Sequence, residues 1–209
     1  MKLTSMSGEE VKAYCVAALA DIKYLVNQGA PAKAYKPEKD VLSQLPLQVY
    51  WKVPVFACLT GDGTQVGVIA ASFNKRPVGE WGLYVNAYIV HTRLRHRGNG
   101  HAVAAYQAIA HRALDQGYSR ITTTAATFGG WATHRALGWP AWGLNAQRQI
   151  VTDADLTGAA PEGLPARCAK LDGPGRPLTP TEHAKALTDP YGPYRLRRED
   201  LPPAYQEAP

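Results

Sequence analysis

Cysteine is scarce in this sequence, long apolar runs are missing, and one basic stretch contains no acid at all. Cys15, Cys58 and Cys168 are the only cysteines in 209 residues, and no two share a C-x-x-C spacing. Three thiols cannot all pair, so no disulfide framework is expected and a reducing cytoplasm is the expected location. Cys15 and Cys58 sit inside apolar patterns and read as inert core residues. No run approaches the roughly 18 apolar residues of a membrane helix, and MKLTSMSGEE lacks the apolar core of a signal peptide, so no membrane partner is expected. Three catalytic signatures are also missing. There is no G-x-G-x-x-G dinucleotide turn, no G-K-[S/T] phosphate loop and no G-x-S-x-G nucleophile elbow.

What is present is an ordinary globular composition, 45% hydrophobic, with a net charge of +6. From Gly158 onward seven Lys/Arg balance seven Asp/Glu, so the whole excess lies in residues 1–157. Between Trp81 and Leu114 stand four arginines (Arg93, Arg95, Arg97 and Arg112) and four histidines, with no acid among them. A window of one sign favours a polyanionic ligand; a solvated basic loop is the plainer reading.

Ser7 and Glu10 have capping-box spacing ahead of Val11, Tyr14, Cys15, Ala18, Leu19, Ile22 and Leu25. That apolar series predicts a helix ending at Gly29. Residues 30–48, with Pro31, Pro37 and Pro46, predict irregular chain or a short helix near Glu38–Gln44. Residues 53–59 and 65–73 predict strands joined by a hairpin at Gly61, Asp62 and Gly63. Residues 81–91 predict a strand with Leu83, Val85, Ala87 and Ile89 on one face and Tyr84, Asn86, Tyr88 and Val90 on the other. A helix from His101, a strand over 119–125, a short segment ending at Trp139 and a strand over 147–151 follow. The expected class is α/β: a mixed sheet with antiparallel N-terminal strands, then a β-α-β unit. Ten of sixteen prolines lie beyond residue 157, so the chain is expected to divide into a domain over 1–157 and a Pro-rich C-terminal extension over 158–209. Thr179 and Glu182 open a short capped helix there.

The stretch RHRGNG, Arg95 to Gly100, stands between a strand and a long helix. Gly98 and Gly100 permit a tight bend. The helix behind them offers unpaired N–H groups and the positive end of its dipole, a ready site for a pyrophosphate. Arg95 and Arg97 add forked donors suited to phosphate.

Arg95, Gly98 and Gly100, followed by Leu137, Gly138 and Trp139, resemble the acetyl-CoA-binding core of the GNAT superfamily of N-acetyltransferases. That superfamily carries [Q/R]-x-x-G-x-[G/A] at this junction and Leu-Gly-Phe near the core's end. The resemblance spans residues 53–142 and implies acetyl-CoA as co-substrate. Backbone N–H groups of Arg97, Gly98, Asn99, Gly100, His101 and Ala102 would hold the pyrophosphate. The backbone of Tyr88, Ile89 and Val90 would pair with the pantetheine arm. The acceptor would be an amine, small or macromolecular.

Such relatives use a carboxylate on the strand before the turn and a tyrosine near Leu-Gly-Phe. This chain has neither. Glu80 lies just ahead of the strand and is the candidate base, and His134 occupies the tyrosine position as candidate acid or base, against a plain surface histidine. Tyr35, Tyr84 and Asn86 are candidate acceptor-pocket residues, with Tyr50 and Trp51 near them in sequence; core packing is the competing role. His91, His96 and His101 span strand, turn and helix, so no metal site is expected. The function expected is an acetyl-CoA-dependent N-acyltransferase of the transferase class. The alternatives are an enzyme of this fold that modifies nucleic-acid bases, as some bacteriophages possess, and a non-catalytic coenzyme A-binding module. Nucleic acid stays open as a partner, and so does a homodimer.

Overall fold

In a computed structural model, the described residues are 1–75, 83–125, 127–144, 149–157, 178–179, 181–182 and 184–185. The elements in chain order are β1 (Lys2–Ser5), α1 (Gly8–Asn27), α2 (Lys36–Tyr50), β2 (Val55–Leu59), β3 (Gln65–Asn74) and β4 (Tyr84–Thr92). They continue with α3 (His101–Asp115), β5 (Arg120–Ala125), α4 (Phe128–Ala136), β6 (Ala141–Leu144) and β7 (Ile150–Asp155). The strands form one mixed sheet in the order β1-β2-β3-β4-β5-β7-β6. β1 with β2 and β2 with β3 are antiparallel, β4 with β5 is parallel across α3, and β5, β7 and β6 close antiparallel. The mixed α/β class, the antiparallel start and the β-α-β unit are as the sequence predicts.

The chain divides into two compact units, one holding Met1–Ala71 and Ile89–Ala108 and the other drawn from Ser72–Tyr88 and Ile109–Arg195. In the first, α1 and α2 bury Val11, Ile22, Leu25, Leu42 and Leu45 with Val68 and Ala70 of β3. The helix expected from the first apolar series is α1. Ser7 caps it reciprocally, accepting from the Glu10 N–H at 3.3 Å while its own N–H donates to the Glu10 carboxylate at 2.6 Å.

Residues 36–50 depart from expectation. They form one 15-residue helix that runs through Pro46. Pro37 fits the first turn, where its missing N–H costs nothing. Pro46 has no N–H to give the carbonyl of Leu42, which instead accepts a weak bond from the Cys15 thiol at 3.5 Å. Cys15 and Cys58 are buried free thiols, as expected, and burial pushes Cys58 up to about 12. β1 is likewise unforeseen. It pairs Lys2 with Leu59 through Ser5 with Phe56, but KLTS carries no alternation to announce it.

In the second unit β5 pairs with β7 along its whole length, Arg120 opposite Asp155 to Ala125 opposite Ile150. Buried Arg120 donates to Asp153 at 2.8 and 3.1 Å. Trp131 of α4 packs with Ala125, Ala141, Leu144 and Ile150. Thr179 and Glu182 make the expected reciprocal cap, at 2.8 and 3.3 Å. Residues 158–209 otherwise lie outside the described ones. No described helix is long and apolar enough to cross a membrane.

Candidate functional site

β4 alternates as predicted: Val85, Ala87, Ile89 and His91 are buried, while Tyr84, Asn86 and Val90 are half-buried and Tyr88 is 44% exposed. Its ladder with β5 runs from Tyr84 opposite Arg120 to Ala87 opposite Thr123, and β4 continues to Thr92 beyond that last pair. Tyr88, Ile89 and Val90 lie on this continuation.

The strand ends where the Arg93 N–H bonds to the Val66 carbonyl at 3.0 Å. A 3₁₀ turn over Leu94–His96 follows, anchored by buried Leu94. Gly98 then adopts φ +85° and Gly100 φ +71°, the left-handed region that other residues enter only under strain. A Cβ at either would meet no protein atom within 4 Å, so backbone conformation is what requires glycine there. The Gly100 carbonyl accepts the Ala104 N–H at 3.0 Å. The N–H groups of His101, Ala102 and Val103 precede that first helical bond and have no intrahelical carbonyl to meet. Gly98, Asn99 and Gly100 are exposed, and His101 and Ala102 are half-buried. The turn therefore offers an accessible concentration of N–H donors at the positive end of a 15-residue helix, a geometry that fits a phosphate or pyrophosphate.

The arginines of the turn are already engaged. Arg93 forks onto Asp21 of α1 through Nε at 2.9 Å and Nη2 at 3.0 Å, and Arg95 bonds the same carboxylate. Arg97 donates to the Glu38 Oε2 at 2.6 Å and to the Thr92 carbonyl at 3.2 Å. Glu38 also meets Nε2 of buried His91 at 3.1 Å, and His91 Nδ1 meets the Tyr14 hydroxyl at 2.6 Å. Burial works to raise the Glu38 carboxyl, but Arg97 and His91 outweigh it and hold it at about 2. The Tyr14 hydroxyl is pushed well up by burial.

Asp21, Glu38 and Tyr14 were not among the predicted site residues. The signal was there: Asp21 sits on the apolar stripe of Ala18, Ile22 and Leu25, and Glu38 shares a face with Leu42 and Leu45. An acid at a core position of a helix needs a buried cation. His96 and His101 stack edge-on, centroids 6.3 Å apart, and burial, His101, Arg93 and Arg95 lower His96. His91 is committed to Tyr14 and Glu38.

The other predicted residues are placed differently. Tyr35 is fully buried in the first unit's core, whereas Tyr50 and Trp51 are exposed. Tyr84, Asn86 and Tyr88 share one face of β4. The Tyr84 carbonyl accepts from Asn74 Nδ2 at 3.3 Å, and the Tyr88 hydroxyl accepts from Ser72 at 3.4 Å. Glu80 lies outside the described residues. His134 is a core residue, only 2% exposed, and not the surface histidine that was the alternative. Its Nδ1 meets the Thr152 hydroxyl at 3.0 Å and its ring lies 6.2 Å from that of Trp139. Burial lowers it to about 4, so it is neutral at pH 7.

No protein-family model and no curated protein matches the sequence. Solved structures do match. An acetyltransferase from Thermus thermophilus is 15% identical, with TM-score 0.52 over 74% of this chain and 96% of that one. A GNAT-family acetyltransferase from Listeria monocytogenes is 8% identical, with TM-score 0.51 over 74% and 94%. The PaiA N-acetyltransferase of Thermoplasma acidophilum, in complex with coenzyme A, is 9% identical, with TM-score 0.50 over 74% and 99%. Identities this low bear on the fold and not on the reaction. On that footing the sequence resemblance and the shared architecture agree: the protein has the GNAT superfamily fold.

Proposed function

We propose that the protein is an acyltransferase that moves an acyl group, acetyl in the simplest case, from coenzyme A to an amine. The observation that carries the reading is the β4–turn–α3 junction. Two glycines in left-handed conformation, exposed backbone N–H groups and a helix N-terminus stand where this fold carries its [Q/R]-x-x-G-x-[G/A] motif. The N–H groups from Gly98 to Ala102 bind the pyrophosphate, the Arg97 N–H being already bonded to the Leu94 carbonyl at 3.2 Å, and the backbone of Tyr88, Ile89 and Val90 pairs with the pantetheine amides as an added strand would. Arg95, whose side chain is 53% exposed, is the arginine of the turn best placed to add charge to an anion. Bound acyl-coenzyme A would supply the thioester: the amine forms a bond to its carbonyl carbon, the carbon–sulfur bond breaks, and coenzyme A leaves as the thiolate. Tyr84, Asn86 and Tyr88 present one polar, partly open face of β4 toward an acceptor.

A second reading, a coenzyme A-binding module without turnover, is favoured by the burial of His134. A histidine sealed in a core and titrating near 4 is a poor proton shuttle at neutral pH. Calorimetry with coenzyme A and thiol release from acetyl-CoA across a panel of amines separate the two. Binding with amine-dependent thiol release is expected of the transferase; binding without release indicates the module. Gly100→Glu, which sets a carboxylate at the pyrophosphate position, is expected to abolish binding. Unchanged affinity in that variant would sink the site.

A further inference from the structure

In Arg97–Glu38–His91–Tyr14 the first unit contains a connected line of side chains that the proposed reaction does not use. It joins four elements. Arg97 belongs to the turn, Glu38 to α2, His91 to β4 and Tyr14 to α1. Its centre is buried: the Glu38 side chain is 12% exposed and that of His91 3%. Glu38 Oε2 receives the Arg97 Nη2 and faces the His91 Nε2. With a neutral imidazole, Tyr14 donates to Nδ1 and the Nε2–H donates to Glu38, so one carboxylate oxygen takes two donors. Charge-assisted bonds of this kind are short and directional. Their buried position makes the loss of one partner costly, because the other is left charged and uncompensated.

The place where this line ends is what gives it a role. Arg97 immediately precedes Gly98, and its guanidinium is fixed twice, by Glu38 and by the Thr92 carbonyl at 3.2 Å. The next three residues are Gly98, Asn99 and Gly100. Glycine restricts its own backbone least of all residues, so the conformation of this turn depends on what holds its ends. α3 holds one end and Arg97 holds the other. Arg97 commits its Nε to the Thr92 carbonyl and its Nη2 to Glu38, and that carboxylate already offsets its charge.

We propose that Glu38 is the positioning residue of the turn: through Arg97 it fixes the backbone of Gly98–Gly100 for an anion, and the Arg97 guanidinium does not touch that anion. This rests on the coenzyme A reading above. The sequence suggests that Arg97 grips phosphate; in the folded chain that arrangement would make Glu38 a competitor of the ligand for Arg97.

The two arrangements differ in sign. Coenzyme A affinity is measured by calorimetry at several salt concentrations for the wild type, Glu38→Gln, Arg97→Met and the double variant. If Glu38 positions the turn, Glu38→Gln weakens binding by about ten-fold or more, the effect of losing a charged hydrogen bond. Arg97→Met then weakens it comparably, and the double variant is no worse than the poorer single, because the pair acts as a unit. The salt dependence of Arg97→Met stays that of the wild type, since no phosphate contact was removed. The slope separates a tether from a phosphate contact, and the double variant separates a pair acting as a unit from two independent structural lesions, whose effects would add. Wild-type or tighter binding by Glu38→Gln, or a flattened salt dependence in Arg97→Met, overturns the inference while leaving the donor site standing. If Glu38→Gln does not fold, the slope of Arg97→Met decides by itself. Absence of binding already in the wild type overturns the donor reading and this inference with it.

Discussion

Replacing Gly98 by alanine adds one methyl group that touches nothing, since a Cβ there has no protein atom within 4 Å. Any effect must therefore come from the backbone, held at φ +85°. An alanine in the left-handed region costs roughly 1–2 kcal/mol. The turn has two ways to respond. It can keep its shape, in which case Gly98→Ala is less stable by about 1 kcal/mol or more in urea unfolding while coenzyme A affinity is retained. Alternatively it can relax out of the left-handed region, in which case stability is largely kept and the N–H groups no longer converge. Affinity then falls by about ten-fold, the equivalent of about 1.4 kcal/mol. The two readouts therefore trade against each other. Asparagine tolerates the left-handed region, so Gly98→Asn is expected to recover most of whichever quantity alanine loses. Gly100→Ala is expected to cost at least as much, because its carbonyl also receives the first helical N–H of α3. Alanine variants with wild-type unfolding midpoints and wild-type affinity would refute the conformational argument.

Gly67 is the steric counterpart. A Cβ there would lie 2.5 Å from the His91 carbonyl oxygen and 3.3 Å from the Thr92 Cα, so Gly67→Ala is expected to lose about 1–3 kcal/mol in urea unfolding; an unchanged midpoint would mean that β3 does not approach β4 this closely. Acid should destabilise the protein in two windows. His134 moves from 6.5 to about 4 on folding, so below pH 6.5 the unfolded chain takes a proton that the native one refuses. Stability falls until pH reaches about 4, by roughly 3 kcal/mol. Glu38 moves from 4.5 to about 2, so its stabilisation is complete above pH 4.5 and is lost as pH falls toward 2. Urea midpoints measured against pH test both windows, and His134→Asn should flatten only the upper one.

Local signals in the sequence carried most of the architecture. The Ser7 and Glu10 spacing, the apolar stripe of α1, the alternation along β4 and the glycines of the turn each express a constraint within a few residues, and each is legible for that reason. β1 was not legible because KLTS has four residues and only Leu3 turns partly inward. α2 was foreshortened because Pro46 reads as a breaker, and only the fold brings the Cys15 thiol to the carbonyl that proline leaves unmet. His134 lies in a nine-residue helix beginning Phe128, Gly129, Gly130, too short and too glycine-rich to show which face is buried. The ion pairs were hidden by distance along the chain. Asp21 is separated from Arg93 by 72 residues and Glu38 from Arg97 by 59.

Those pairings change what the basic window means. Arg93, Arg95 and Arg97 form a closely spaced positive run in sequence, and a polyanion is the natural inference from such a run. In the folded chain two buried carboxylates meet three guanidiniums, leaving about one net positive charge beside the turn. A single charge, half screened at the surface, changes binding by little at moderate salt. Fixed N–H groups at a helix start are not screened in the same way, because they meet the anion in direct hydrogen bonds. If the turn binds a pyrophosphate, its specificity therefore lies in the conformation of Gly98 and Gly100. The arginines then act mainly as tethers that hold this conformation against α1 and α2.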